Sequence, residues 1–263
     1  MSNGTSASLA IPERMGAALL DIAGQAGGIA IMAGQILRRA MPWKIDRYEF
    51  FRNMYRMGVK SLPILAATAF FVGAIMVIQA APLVVRYNAR SFVGFSAIYT
   101  TFREIGPLLM ALMFNGRVGA NNTAELGTMA VTEQLDALRA LAIDPITYLV
   151  VPRAISIVIV LTSLCVIGDF LAIVGAMGMA SFMLDVDWKL FLNSALPKLE
   201  MWDFIVGVIK AFLFGIMIAL NSCYFGLSTD GGAPGVGRAV NRSVVAAASG
   251  VFIADYLSTF ILN

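Results

Sequence analysis

The residues of this chain that could do chemistry are charges set among long apolar runs. Arg103 and Glu104 stand side by side, and only ten uncharged residues, Ile105 to Phe114, follow before the next polar stretch. As a helix, ten residues reach about 15 Å, half of the roughly 30 Å of bilayer hydrocarbon, so a span here must contain both charges. Helical neighbours point about 100° apart, so the pair cannot satisfy itself, and each charge needs a partner on another helix, in a water-filled cavity or on a ligand. Lys210, Asp169 and Asp255, also inside apolar runs, are the available members of a structural interhelical ion pair. Charges inside a membrane are costly enough that the default expectation is a functional site.

A second constellation lies between Asn115 and Arg153, where seven charges fall in one stretch: Arg117, Glu125, Glu133, Asp136, Arg139, Asp144 and Arg153. At about 3 kcal/mol per charge, burying the first five would cost on the order of 15 kcal/mol, so the stretch is expected in water. Asn122 with Glu125 has the spacing of a capping box, and Val131, Leu135, Leu138 and Ala142 recur at helical spacing. This predicts one helix over 122–142, then a second N-cap at Asp144-Pro145, with Pro152 interrupting the turn that follows. The apolar stripe needs a cover, either the chain's own membrane domain and lipid or the groove of a cytosolic protein.

The stretch 115–153 resembles the signature block of the MlaE/YrbE permease family, the membrane subunits of bacterial lipid-transporting ABC systems. The likeness is carried by Gly116-Arg117, Ala124-Glu125-Leu126-Gly127-Thr128-Met129, Thr132-Glu133-Gln134, Asp136-Ala137-Leu138, Asp144-Pro145 and Pro152-Arg153, and extends from about residue 50 to the C-terminus. It implies an all-α, polytopic permease of the bacterial inner membrane, in which this block is the coupling helix docked on a cytosolic ABC ATPase. Arg117, Glu125, Thr132, Glu133, Asp136 and Arg139 are then the coupling residues. ATP and Mg would be held by that ATPase, with no cofactor on this chain. The resemblance also implies a second permease subunit, expected as a homodimer, a periplasmic Mce-type lipid-binding protein, and phospholipid as cargo. In that family an arginine-glutamate pair at this point lines a lipid cavity between two permease subunits, which makes Arg103 and Glu104 lipid-binding candidates. Arg52 and Arg242 match other basic positions of that cavity. The glycine-rich 231–237 stretch and the 238–242 segment lean toward the branch that works with Mce proteins.

Composition excludes the other classes. The chain has 263 residues, 59% hydrophobic and 13% charged, with a mean hydropathy of +0.80, which is the composition of a polytopic membrane protein. A net charge of +3 with scattered basic residues is no nucleic-acid footprint. There is no histidine, and the two cysteines, Cys165 and Cys223, sit in apolar runs, so neither a metal site nor a disulfide framework is expected. Gly232 to Ala239 imitates phosphate-loop spacing, but arginine and alanine replace the lysine and hydroxyl that such a loop requires. It reads as a flexible turn, and ATP chemistry belongs to another polypeptide.

The elements that must position these residues follow from the apolar runs. Residues 1–10 are expected to be disordered, and the start has no signal-peptide pattern. Residues 11–39 read as a helix lying in the interface rather than a span, because Asp21, Gln25 and Gln35 make insertion costly. Residues 11–60 form this helix and a basic tract of Arg38, Arg39, Lys44, Arg47, Arg52, Arg56 and Lys60. Residues 61–263 form the membrane domain, with about five spans near 62–81, 92–116, 154–183, 204–225 and 244–262. Gly168, Gly175 and Gly178 offer surfaces for close helix approach in the third span. Trp188 and Trp202 mark an interfacial segment at 185–203. The basic tract places the N-terminus in the cytoplasm, and the span count places the C-terminus in the periplasm.

A lipid-modifying intramembrane enzyme and a scaffold or channel subunit are the competing readings. The enzyme lacks histidine and any serine nucleophile with a recognisable base. The scaffold would bind its partner without ATP-dependent movement.

Overall fold

The computed structural model describes residues 11–40 and 47–262. The stretch 1–10 and Lys44 of the basic tract lie outside the described residues. Every regular element among the described residues is helical: α1 (Ile11–Ala40), α2 (Arg47–Met54), α3 (Leu62–Arg86), α4 (Val93–Thr100), α5 (Gly106–Phe114), α6 (Ala120–Val131), α7 (Gln134–Ala140), α8 (Val151–Leu184), α9 (Trp188–Ala195), α10 (Met201–Leu227) and α11 (Gly232–Leu262). Short π turns join several of them into longer runs, at Tyr55–Val59, Thr101–Ile105, Asn115–Gly119 and Ile146–Val150.

Among the described residues four helical runs are long and apolar enough to cross a membrane: Tyr48–Arg86, Ile146–Leu184, Met201–Leu227 and Gly232–Leu262. These correspond to the expected first, third, fourth and fifth spans, each longer than its apolar core. The expected second span, 92–116, is not among them. It belongs to one continuous helical run from Val93 to Val131, long enough to cross but made less apolar by Arg103, Glu104 and their threonine neighbours. The chain is therefore an all-α, polytopic membrane protein.

Four expectations fail on local geometry. Asn122 does not cap a helix, because the run from Val93 passes straight through it. The single helix over 122–142 is broken at Glu133, which takes a left-handed conformation at φ 58° and starts α7. Gly232 to Ala239 is no flexible turn but the first two turns of α11. Gly231 and Gly232 take positive φ values of 75° and 70°, and α11 begins at Gly232 immediately after that reversal. Pro152 likewise interrupts nothing, since it lies in the first turn of α8, where its missing N–H is not needed. The Asp144 cap does form, accepting from the backbone N–H groups of Ile146 at 3.4 Å and Thr147 at 3.3 Å.

In hydrocarbon, apolar side chains gain nothing from leaving water, so the bundle is held by close packing and interhelical hydrogen bonds. One core joins α3, α5, α8, α10 and α11 through Leu65, Phe114, Ile157, Leu161, Phe214, Ile218 and Val251. A second, at one end, packs Val77, Ile98, Ala180 and Phe191 of α9. A third, at the other end, gathers Met32 of α1, Leu126, Leu135, Val150 and Cys223. α3 lies along α8 because Gly73 faces the Ala172 backbone and Gly175 faces the Phe70 backbone with no room for a side chain. Gly178, expected to share that role, faces open space.

That contrast is testable by thermal unfolding of the purified chain in detergent. Gly175→Ala forces a methyl into the Phe70 carbonyl and should cost about 1–3 kcal/mol. Gly178→Ala should be neutral or stabilising by up to about 1 kcal/mol. Equal melting temperatures for the two variants would contradict the α3–α8 approach.

Candidate functional site

The Val93–Val131 run carries both constellations. In its first third, the π turn Thr101–Ile105 holds Arg103 and Glu104. The extra residue of a π turn rotates adjacent side chains onto different neighbours, and such turns recur at functional sites. Arg103 Nη1 donates to Asp203 Oδ1 at 3.1 Å, with both side chains nearly buried, and the guanidinium lies 5.4 Å from the Tyr99 ring centroid. Asp203 is held from behind, its Oδ2 accepting from the Glu200 backbone N–H in a capping box at the start of α10.

Glu104 turns to a different cluster. Lys210 Nζ of α10 is 2.7 Å from Glu104 Oε2 and 3.0 Å from Asp255 Oδ1 of α11. Lys210 Nζ also donates to Thr259 Oγ1 at 2.7 Å, and that hydroxyl donates to Glu104 Oε1 at 3.1 Å. Lys210 is 1% exposed while Glu104 is 37% exposed, so the cluster is closed on the α10 side and open on the Glu104 side.

The structural ion pairs expected of Lys210 and Asp255 are thus formed. Asp169, the third expected member, is not in them. It is buried on α8 next to Gly106 and, among the described residues, accepts only a long 3.8 Å contact from Cys165 Sγ. Sequence reasoning missed Asp203 as the partner of Arg103, because it lies in a tryptophan-marked interfacial segment a hundred positions away. The four lipid-binding candidates do not meet within one chain. Arg52 pairs with Glu49 of its own helix at 2.7 Å. Arg242 lines a separate cleft with Asp21, Tyr224, Asp230 and Arg238, about 20 Å along α11 from Asp255 by helical rise.

The six coupling candidates split into two groups. Arg117 Nη2 donates to the Lys60 carbonyl at 2.6 Å, and Glu125, 23% exposed, pairs with Arg56 and, at 3.2 Å, with the buried Arg153. Arg153 also donates to Asn122 Oδ1 at 3.3 Å, and Asn122 Nδ2 to Ser222 Oγ at 2.9 Å. Beside them Thr123 donates to Ser243 Oγ at 2.8 Å, and Asn115 Nδ2 to the Val244 carbonyl at 2.9 Å. This polar core ties α6 to α2, α8, α10 and α11. No sequence spacing announces it, since its partners are 28 to 129 positions apart.

Thr132, Glu133, Asp136 and Arg139 form the other group, exposed at the α6–α7 corner. Asp136 and Arg139 pair with each other at 2.7 Å in the open, and Leu141 is 70% exposed beside them. Leu135 and Leu138, the centre of the apolar stripe, pack on Leu126 and Leu149 of the chain's own core. The stripe's cover is therefore the bundle itself, and the exposed corner is what remains for a partner. Arg39 Nε at the end of α1 reaches Asp144 at 3.2 Å. Burial opposes ionisation of Asp144. The Thr147 hydroxyl, Arg39 and the two backbone donors outweigh it and hold the carboxyl below its ordinary value. Their stabilisation is present at neutral pH and fades as pH falls through that lowered value.

Residues 50–261 match the family model described as Permease MlaE. The chain is 41% identical over 208 residues to a probable ABC transporter permease protein of Rickettsia felis, covering 79% of this chain and 80% of that one. It is 36% identical over 231 residues to a probable ABC transporter permease protein of Synechocystis, covering 88% of each. Protein TRIGALACTOSYLDIACYLGLYCEROL 1, chloroplastic, of Arabidopsis thaliana is 34% identical over 233 residues, which are 88% of this chain and 67% of that protein.

The Lys210 cluster predicts a charge-balance effect. Lys210→Met leaves Glu104 and Asp255 facing each other without a cation, and breaking a buried pair costs about 3–5 kcal/mol. The purified variant should melt well below the parent, and adding Glu104→Gln and Asp255→Asn should restore most of the loss. No loss in the single variant, or no recovery in the triple, would contradict the cluster.

Proposed function

The chain belongs to the MlaE permease family, a family of multi-pass membrane permeases, and from that premise we propose that it is the membrane subunit of an ABC system that moves phospholipid or a related lipid. A separate cytosolic ATPase, which holds ATP and Mg, drives it by docking at the α6–α7 corner. The observation that carries this reading is the Val93–Val131 run. Its outer end presents the exposed corner, and about 40 Å along the same helix Glu104 presents a carboxylate at an open polar cluster in the middle of an apolar bundle.

A lipid has a charged or polar headgroup on an apolar body, and mid-membrane charges beside apolar helix faces suit both parts. Glu104 and Lys210, with Arg103 behind them, are the proposed headgroup side, completed by a second copy of the chain packed on the open face. Arg52 and Arg242 join this cavity only if the second copy brings them there. The name of the Arabidopsis relative is that of a glycolipid, which favours lipid over a soluble solute. A periplasmic Mce-type protein as the exchange partner belongs to the same proposal, as does an inner-membrane location with the N-terminus cytoplasmic and the C-terminus periplasmic. The packing of α1 on α10 and the Ile146–Val150 turn supports that orientation, since Met32 of α1 joins the end cluster that also holds Leu126 of α6 and Leu135 of α7, and this brings the end of the N-terminal helix to the docking corner.

Docking is checked by retention of the ATPase on the purified complex. Glu133→Lys reverses a charge in the left-handed corner and should lower retention about thirtyfold, the effect of roughly 2 kcal/mol at an interface. Full retention would remove Glu133 from the contact.

The lipid role is checked by replacing an ion pair whole. Arg103→Leu with Asp203→Leu removes both charges, an exchange that is often neutral or stabilising for folding. The double variant should assemble, melt like the parent and hydrolyse ATP at the basal rate, yet carry several-fold less co-purified lipid by mass spectrometry. Parental lipid content and transport would exclude Arg103 from the lipid site.

A further inference from the structure

A cleft of about 340 Å³ opens beside α6, lined by Arg56, Lys60, Arg117 and Glu125 over a floor that includes the buried Met57 and Val118. Its two walls are π turns, Tyr55–Val59 carrying Arg56 and Asn115–Gly119 carrying Arg117. π turns are rare and concentrate at functional sites, and here two of them face one another. The Arg117 hydrogen bond to the Lys60 carbonyl ties the walls together.

The charge in the cleft is unbalanced. Three cations and one carboxylate leave two net positive charges, and Glu125 is already shared between Arg56 and Arg153. Among the described residues neither Lys60 nor Arg117 forms an ion pair with a carboxylate. Surface cations normally need no partner, but these are gathered around a concave site at a particular depth. The apolar α3 begins at Leu62, two residues after Lys60, so the cleft sits at the polar end of an apolar span, where headgroups are met.

We propose that this cleft binds the phosphate of an anionic lipid headgroup from the adjoining leaflet. Lys60 and Arg117 hold the phosphate, and Arg56 is shared between it and Glu125. Basic pockets between membrane helices recognise lipid headgroups in this way. The site is distinct from the mid-bundle Glu104–Lys210 cluster, and its lipid is a bound component of the fold, independent of whatever passes through the permease.

The test is native mass spectrometry of the full chain in detergent, titrated with dioleoyl phosphatidate, dioleoyl phosphatidylcholine or inorganic phosphate. The parent should retain phosphatidate over phosphatidylcholine. Lys60→Gln combined with Arg117→Gln should lower phosphatidate affinity about thirtyfold, the combined effect of two juxtamembrane cations. Arg86→Gln, at the far end of α3, should leave it unchanged. Should the double variant melt early, Lys60→Gln alone keeps the Arg117 bridge and should still lose about fivefold. Equal retention of the two lipids, undiminished binding in the cleft variants, or displacement of phosphatidate by equimolar inorganic phosphate would overturn the assignment.

Discussion

A charge in hydrocarbon must be paired, and that requirement fixes the position of the helical run on which everything else hangs. Arg103 and Glu104 are neighbours in sequence and cannot serve each other, so they draw in two different segments of α10 and, through Asp255 and Thr259, the end of α11. Apolar packing alone would let α4–α6 slide or rotate against α10, because one lipid-like contact is much like the next. Two ion pairs of opposite polarity, Arg103 to Asp203 and Lys210 to Glu104, admit one register only.

The other end of the same run is held by a different device. There the buried groups are mostly neutral, Asn115, Asn122, Thr123, Ser222 and Ser243, with Arg153 the charged exception, paired to the half-buried Glu125. Interhelical hydrogen bonds in membranes are modest singly, about 0.6 kcal/mol on average. Several of them around α6 make its position a consequence of α2, α8, α10 and α11 together. A displacement of the α6–α7 corner would therefore strain the whole bundle, since both ends of the run are bonded to the other helices.

How far the sequence discloses this depends on the range of the interaction. Apolar runs declare spans, so α3, α8, α10 and α11 were legible, as was the need of Arg103 and Glu104 for partners. The Asp144 cap was legible because its signal lies within three residues. Asn122 misled because Asn-x-x-Glu is a local signal overridden here by a continuing helix, whose side chains were needed for long-range bonds to Arg153 and Ser222 instead. The stripe of Leu135 and Leu138 was legible as apolar but not as self-covered, since spacing shows that a face is buried and not by what. The break at Glu133 has no glycine or asparagine to announce its left-handed backbone.

The central claim is that the bundle is a lipid permease worked from its α6–α7 corner, and reconstitution measures that directly. Proteoliposomes containing this chain and its ATPase, loaded with radiolabelled phospholipid and offered a soluble lipid acceptor, should transfer label only when ATP is supplied. Omitting the ATPase should abolish the ATP-dependent part. Normal ATP hydrolysis with no net lipid transfer, or transfer at the same rate without ATP, would contradict the account.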